Sequence, residues 1–198
     1  RLIDQETGRE NLRVSLGQIR YFRDRKVSLG TTYNPTRSDS DMVAEVAASL
    51  AKEWTLRGEI QWNPHGDTSN MSAVTLRYRG DNGSLLNVSH RYRRDNISAL
   101  DGLEQVDISA RLPLNKQWSM VGRWYRSLKD TTTLEVLGGI EYESCCWATR
   151  LVVRDYVNDV TDDERNLAVF FQIELKGLGN FGQKTEKLLE RSILGYGI

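Results

Sequence analysis

The sequence predicts an all-β fold. The expected architecture is an antiparallel sheet of about 11 strands, forming one segment of a larger transmembrane β-barrel and followed by a short helical tail. Three observations predict it. Apolar and polar residues alternate with a period of two along most of the chain. The alternating segments run about 9–11 residues, the length of a membrane-spanning strand, whereas soluble strands are usually about 5–6 residues long. The connections between segments alternate between short turns and longer loops, as in barrels with short periplasmic turns and long extracellular loops.

The segments fall at about 12–22, 27–34, 42–51, 54–62, 72–80, 84–93, 104–112, 117–126, 132–142, 146–156 and 166–176. Pro35, Pro64 and Pro113 lie in connections, where a missing N–H breaks no ladder. Short turns are expected near Arg23–Lys26, Ala51–Glu53, Gly80–Gly83, Pro113–Gln117 and Glu143–Cys145, and longer loops over 35–41, 63–71, 94–103, 127–131 and 157–165. Asp81-Asn82-Gly83 is a hairpin signal, because tight turns need positive φ. The first segment is less regular, and its alternation slips near Gly17, as at a bulge. The helical pattern lies at about 183–193, with a stripe of Leu188, Leu189 and Ile193. The barrel portion is thus 1–176 and the tail, on the periplasmic side, 177–198. Eleven is odd, whereas single-chain bacterial barrels close with even numbers, so at least one further strand is expected upstream of Arg1.

Each strand has one apolar face, such as Trp54, Leu56, Gly58, Ile60 and Trp62, or Val169, Phe171, Ile173 and Leu175. Between residues 27 and 175 this face reads as free of Lys, Arg, Asp and Glu. The opposite face carries Glu45, Arg57, Glu59, Arg77, Arg79, Arg91, Arg93, Asp107, Arg111, Arg123, Glu135, Glu141, Arg150, Arg154 and Glu174. Alternation alone also fits a soluble sandwich with its apolar faces buried. Tryptophan placement favours the membrane. Trp54, Trp118 and Trp147 follow short turns, Trp62 and Trp124 precede long loops, and all five lie on the apolar face. Trp54 to Trp62 spans about 26 Å along a strand, or about 20 Å of height at a typical tilt, matching an apolar band between aromatic girdles.

Composition narrows the function. Of the 198 residues, 39% are hydrophobic and 27% charged, and the 27 Lys+Arg balance the 27 Asp+Glu. A zero net charge argues against nucleic-acid binding. No apolar run reaches the roughly 18–20 residues of a transmembrane helix. Arg1 follows no Met or signal peptide, so the chain is read as processed or as a piece of something longer.

Chemical motifs are few. Gly177-x-Gly179-x-x-Gly182 matches a dinucleotide-loop spacing, but the second parallel strand and the downstream acid of that fold have no room. A hydrolase would need Ser, His and acid in reach; the two histidines are His65, in a loop, and His90, on the apolar face, and no Gly-x-Ser-x-Gly occurs. No catalytic residue, metal site or cofactor is expected. Asn-x-Ser at Asn70, Asn82, Asn87 and Asn96 reads as chance. Cys145 and Cys146 are adjacent at a short turn, and adjacent cysteines bond to each other with difficulty. Disulfides to upstream cysteines, free thiols and, less readily, a metal site stay open.

The stretch Glu143-Ser-Cys-Cys-Trp-Ala-Thr-Arg-Leu-Val-Val-Arg, with Phe170-Phe-Gln-Ile-Glu-Leu-Lys-Gly-Leu-Gly after it, resembles the C-terminal end of the LptD family, the lipopolysaccharide-assembly proteins of the Gram-negative outer membrane. Arg1-Leu-Ile-Asp, Leu16-Gly-Gln-Ile-Arg-Tyr-Phe-Arg-Asp-Arg and Leu188-Leu-Glu-Arg-Ser-Ile-Leu-Gly-Tyr are similar to it as well. The resemblance implies a 26-stranded barrel holding the lipoprotein LptE as a plug. It implies an N-terminal periplasmic domain that receives lipopolysaccharide from a periplasmic bridge. It also implies lateral release between the first and last strands into outer-membrane lipid. Cys145 and Cys146 match a pair that forms disulfides with upstream cysteines. The last strand would be 166–176, with Val169, Phe171, Ile173 and Leu175 at the gate and Gly177 and Gly179 helping to end its pairing. A general porin is the alternative, but porins typically end at their last strand, whereas this chain continues for about 20 residues beyond Leu175.

Overall fold

The computed structural model describes residues 1–24, 38–65, 68–94, 102–158 and 164–197. Its strands are β1 (Leu2–Ile3), β2 (Glu10–Gly17), β3 (Met42–Ser49), β4 (Trp54–Asn63), β5 (Thr68–Arg79), β6 (Leu85–Arg93), β7 (Leu103–Pro113), β8 (Trp118–Ser127), β9 (Thr133–Glu143), β10 (Trp147–Val157), β11 (Arg165–Leu175) and β12 (Gly179–Gly182), followed by helix α1 (Thr185–Ser192). They form one sheet in sequence order, and the registers seen are all antiparallel. The contacts divide the chain into two units, Arg1–Leu76 with His90–Glu104, and Arg77–Ser89 with Gln105–Ile198.

In the first unit β2 pairs directly with β3, from Leu12↔Ala48 to Gly17↔Val43. The expected strand at 27–34 lies outside the described residues. The short turn expected near Arg23–Lys26 also lies partly outside them, with Arg23 and Asp24 described. Past Gly17 the two chains stay together less regularly, through Ser40 N–H to Ile19 O at 2.8 Å, Tyr21 N–H to Ser38 O at 2.6 Å and a bridge between Arg20 and Asp39. The slip seen in the sequence at Gly17 is therefore where the regular ladder ends. The described residues hold ten long strands, β2 to β11. β5 starts at Thr68, earlier than expected, and the loop read over 63–71 shrinks to 64–67. The expected Asp-Asn-Gly hairpin closes through Gly83 N–H to Gly80 O at 3.0 Å.

The second unit runs in continuous register from β7 to β11, with one irregularity near Tyr125 and Arg126. It buries a small apolar cluster on the charged face. Leu85, Val121, Leu137 and Val152, from β6, β8, β9 and β10, pack against Leu189, Ile193 and Tyr196 of the tail. Gly139 leaves the room this needs, since a Cβ there would sit 2.7 Å from Val152 Cγ2 and 3.0 Å from Val121 Cγ2. Leu189 and Ile193 are fully buried, each worth about 1.5–3 kcal/mol. Lys184, the residue before α1, gives no side-chain cap; the Glu186 N–H is taken instead by Gln172 Oε1 of β11 at 3.0 Å. The sheet thus caps the helix that packs on it.

Ile193→Asp should release this tail, because an unpaired carboxylate among aliphatic groups costs several kcal/mol. In the intact protein, trypsin cleavage at Lys184 and Lys187 is expected to rise roughly tenfold, whereas Ile193→Val should stay protected.

Candidate functional site

Four features converge on the second unit: an exposed apolar face, a charged face, a cysteine turn and the last strand's edge.

The apolar face is open to its surroundings. Met120, Ile140, Leu151, Val153, Val169 and Phe171 are each at least 40% exposed. At its short-turn end Trp118 and Trp147 flank Tyr142, with ring centroids 4.9 and 4.8 Å from that of Tyr142. Trp124 lies further along the same strand, partnered by Ile108 and Val136. In the first unit Trp54 opens β4 and Trp62 pairs with Met42. This face is not free of charge, as the sequence had suggested. Glu104, Arg126, Asp155 and Arg165 share its parity, and all four sit at the long-connection ends of their strands. Each is answered locally: Glu104 by His90 at 3.2 Å, Asp155 and Arg165 by each other at 3.0 Å, and Arg126 by Thr131 O at 3.1 Å.

The charged face is a pair of ion-pair rows. One runs Asp107–Arg123–Glu135–Arg154, with a closest Arg123–Asp107 approach of 2.5 Å and contacts of 3.1 Å and 2.6 Å along the rest. The other runs Arg111–Glu141–Arg150–Glu174, with contacts of 3.1, 3.4 and 2.9 Å. Signs alternate along each row; in the first the four residues sit on four successive strands, the arrangement in which cross-strand charge pairs stabilise a sheet, while Arg111 reaches over β8 to Glu141 in the second. Tyr196 joins the second row, donating to Glu141 and accepting from Arg150 Nε at 3.2 Å. Burial and the Glu141 carboxylate hold its hydroxyl well above the ordinary tyrosine range. Arg79 reaches Gly195 O at 3.4 Å. In the first unit Glu45 meets Arg13 at 3.7 Å, and Arg57, Glu59, Arg91 and Arg93 are exposed.

Cys145 and Cys146 are exposed free thiols, their Sγ atoms 2.8 Å apart, on a turn whose backbone is pinned. Ser144 Oγ bonds Trp147 O at 2.9 Å, Lys176 N–H bonds Cys146 O at 2.9 Å, and Lys176 Nζ bonds Glu143 Oε1 at 2.7 Å. The turn presents two sulfurs on a fixed frame. The hydrogen bond shared with Cys145 raises the Cys146 thiol above its ordinary range, with a smaller contribution from burial. His65, unassigned from sequence, holds Asp39 at 3.0 Å.

β11 pairs with β10 along its whole length, from Trp147↔Leu175 to Val157↔Arg165. Its other edge carries β12, from Leu175↔Gly179 to Gln172↔Gly182. Gly177 therefore does not end the pairing. It sits at φ +86° in a turn closed by Leu178 N–H to Leu175 O at 3.0 Å, and that turn sends the chain back along β11. Gly179 is the first residue of the returning strand. The sequence reading missed β12, which is too short to show alternation. It also missed the docking of the tail, for which Leu85, Val121, Leu137 and Val152 interrupting the charged face were the available signal.

In the reduced protein, the pH midpoint for alkylation of Cys146 should lie above the value near 8.5 of a free cysteine. Cys145→Ala should lower that midpoint, since it removes the hydrogen bond that favours the neutral thiol.

Residues 1–118 match the LptD family model, described as LPS transport system D. The LPS-assembly protein LptD of Nitrosococcus oceani is 52% identical over 197 residues, covering all of this chain and 26% of that protein. Those of Xylella fastidiosa and Xanthomonas campestris pv. campestris are each 38% identical, covering 99% of this chain and 25% of their own length. The chain spans about a quarter of the length of these relatives. It belongs to the LptD family.

Proposed function

We propose that this chain is the C-terminal part of an outer-membrane barrel that transports lipopolysaccharide and inserts it into the outer leaflet. The observation that carries this reading is the 52% identity to an LPS-assembly protein along the whole chain. The general porin has no comparable support. The apolar face, with its tryptophans and the Trp118–Tyr142–Trp147 cluster, is the lipid-facing wall. Strands β2 to β11 are part of a 26-stranded barrel, residues 1–176 forming wall and 177–198 a tail at its periplasmic end.

The charged face lines the lumen, where a hydrated, phosphorylated saccharide meets water and polar side chains. Arg57, Glu59, Arg77, Arg79, Arg91, Arg93, Asp107, Arg111, Arg123, Arg150 and Arg154 belong to this lining. The lipoprotein LptE is the plug inside it. Lipopolysaccharide arrives over a periplasmic bridge through the protein's N-terminal domain. Its acyl chains leave sideways between the first strand and β11, the gate strand that carries Val169, Phe171, Ile173 and Leu175 and is followed by Gly177, without crossing the polar lumen. Unpaired backbone groups in lipid cost several kcal/mol each, so such a seam has to be paired or covered whenever it is not in use. Cys145 and Cys146, at the periplasmic end, form disulfides with upstream cysteines in that oxidising compartment. This work is transport by geometry, and no catalytic step is assigned to the chain.

Two outcomes are expected in the full-length protein. A photoreactive residue at Phe171 should capture lipopolysaccharide, and capture should stop when delivery from the periplasm is blocked. No capture while delivery is active would overturn the seam. Replacing Cys145 and Cys146 together with Ser should impair complex assembly and open the envelope to large antibiotics; a normal barrier in that double variant would remove the disulfide role.

A further inference from the structure

The last strand carries its own clamp. β12 takes the edge of β11 over Gln172–Leu175, and the final bond on that edge runs from Gln183 N–H to Phe171 O at 3.0 Å. There the chain leaves the edge and turns onto the charged face. Gly182 makes the departure possible, because at φ +94° a Cβ would strike the Phe171 carbonyl oxygen. The chain then holds β11 a second time, from inside, through Glu186 N–H on Gln172, a side chain only 2% exposed. Beyond α1 it is anchored on more distant strands: Asn87 Nδ2 donates to Leu194 O at 3.0 Å, and Arg150 Nε to Tyr196 Oη at 3.2 Å. Leu189, Ile193 and Tyr196 are buried along the way.

One strand is therefore gripped on its edge and on one face by the same continuous segment. From Arg165 to Phe170 its edge has no strand beside it among the described residues. Resting on the reading that β11 borders the barrel's seam, we propose that β12 and the tail make β11 the fixed side of that seam. The closing strand, an antiparallel strand of the same full-length protein, pairs only along Arg165–Phe170. Opening moves that partner, while β12 stays on β11 throughout transport. The periplasmic end of the seam is closed by this chain itself, and the gap forms towards the long-loop end.

The test uses full-length protein in outer membranes. Glu174 and Asn180 are register partners across β11 and β12, and E174C/N180C should form a disulfide in most molecules, identified by peptide mapping. V153C/V169C, across β10 and β11, is the control. An E174C/N180C pair that stays reduced while the control oxidises would overturn the clamp; lipopolysaccharide capture at Phe171 tests the seam independently of it. Transport by the oxidised E174C/N180C protein should equal transport by the same variant after reduction. A loss on oxidation, restored by reductant, would show that β12 has to leave and would overturn the fixed side. Adding G182V should lower the E174C/N180C disulfide at least fivefold and leave the control unchanged. An unchanged disulfide with G182V would show that the strand's seat does not depend on the close approach at Phe171.

Discussion

Backbone pairing between neighbouring strands is the constraint on which the rest depends. An extended chain can place alternate side chains in two unlike surroundings only if its own N–H and C=O groups are taken up sideways, by the next strand. Every long strand of the second unit from β7 to β11 is held in continuous antiparallel register. That register puts Trp118 beside Tyr142 on one face and Arg123 between Asp107 and Glu135 on the other. A slip of one residue would exchange the two faces. The aromatic cluster, the ion-pair rows and the cysteine turn are all consequences of keeping it.

Two departures from regular pairing coincide with the features that set this chain apart from a plain sheet. At Gly17 the β2–β3 ladder loosens into a few spaced bonds between 19–21 and 38–40. At Gly177 and Gly182 the chain reverses onto β11 and then abandons it for the charged face. Glycine is what lets the backbone turn at the second of these places without a side chain in the way. The tail that follows is short, and α1 lacks a side-chain cap of its own. It is ordered by what it lies on, namely Gln172 at its start and the Leu137–Val152 patch beneath it.

Much of this was legible beforehand. From β3 to β11 the strands are long and two-faced, and their positions follow from alternation, within a few residues at most ends. Leu188, Leu189 and Ile193 announced the helix of the tail. What escaped has physical reasons. β1 and β12 have two and four residues, too few to establish a period. The neighbour relation of β2 and β3 is a long-range choice that no local pattern encodes. Glu104, Arg126, Asp155 and Arg165 were overlooked because parity was read from the strand centres, and these four lie at the ends. The docked tail was visible only as an anomaly, four aliphatic residues on a face otherwise rich in charge.

The ion-pair rows have a further consequence. Each row holds two cations and two anions in alternation, so its field falls off over about the spacing of its charges, and salt screens what remains beyond roughly 8 Å. Such a wall is wet without being adhesive. A pathway that must pass a polyanion repeatedly is served poorly by deep wells, because whatever holds the cargo also delays its exit. For the transport proposed here, the neutral pairing of Arg111, Arg123, Arg150 and Arg154 makes this stretch of wall a smooth potential along which a phosphorylated saccharide glides without dwelling.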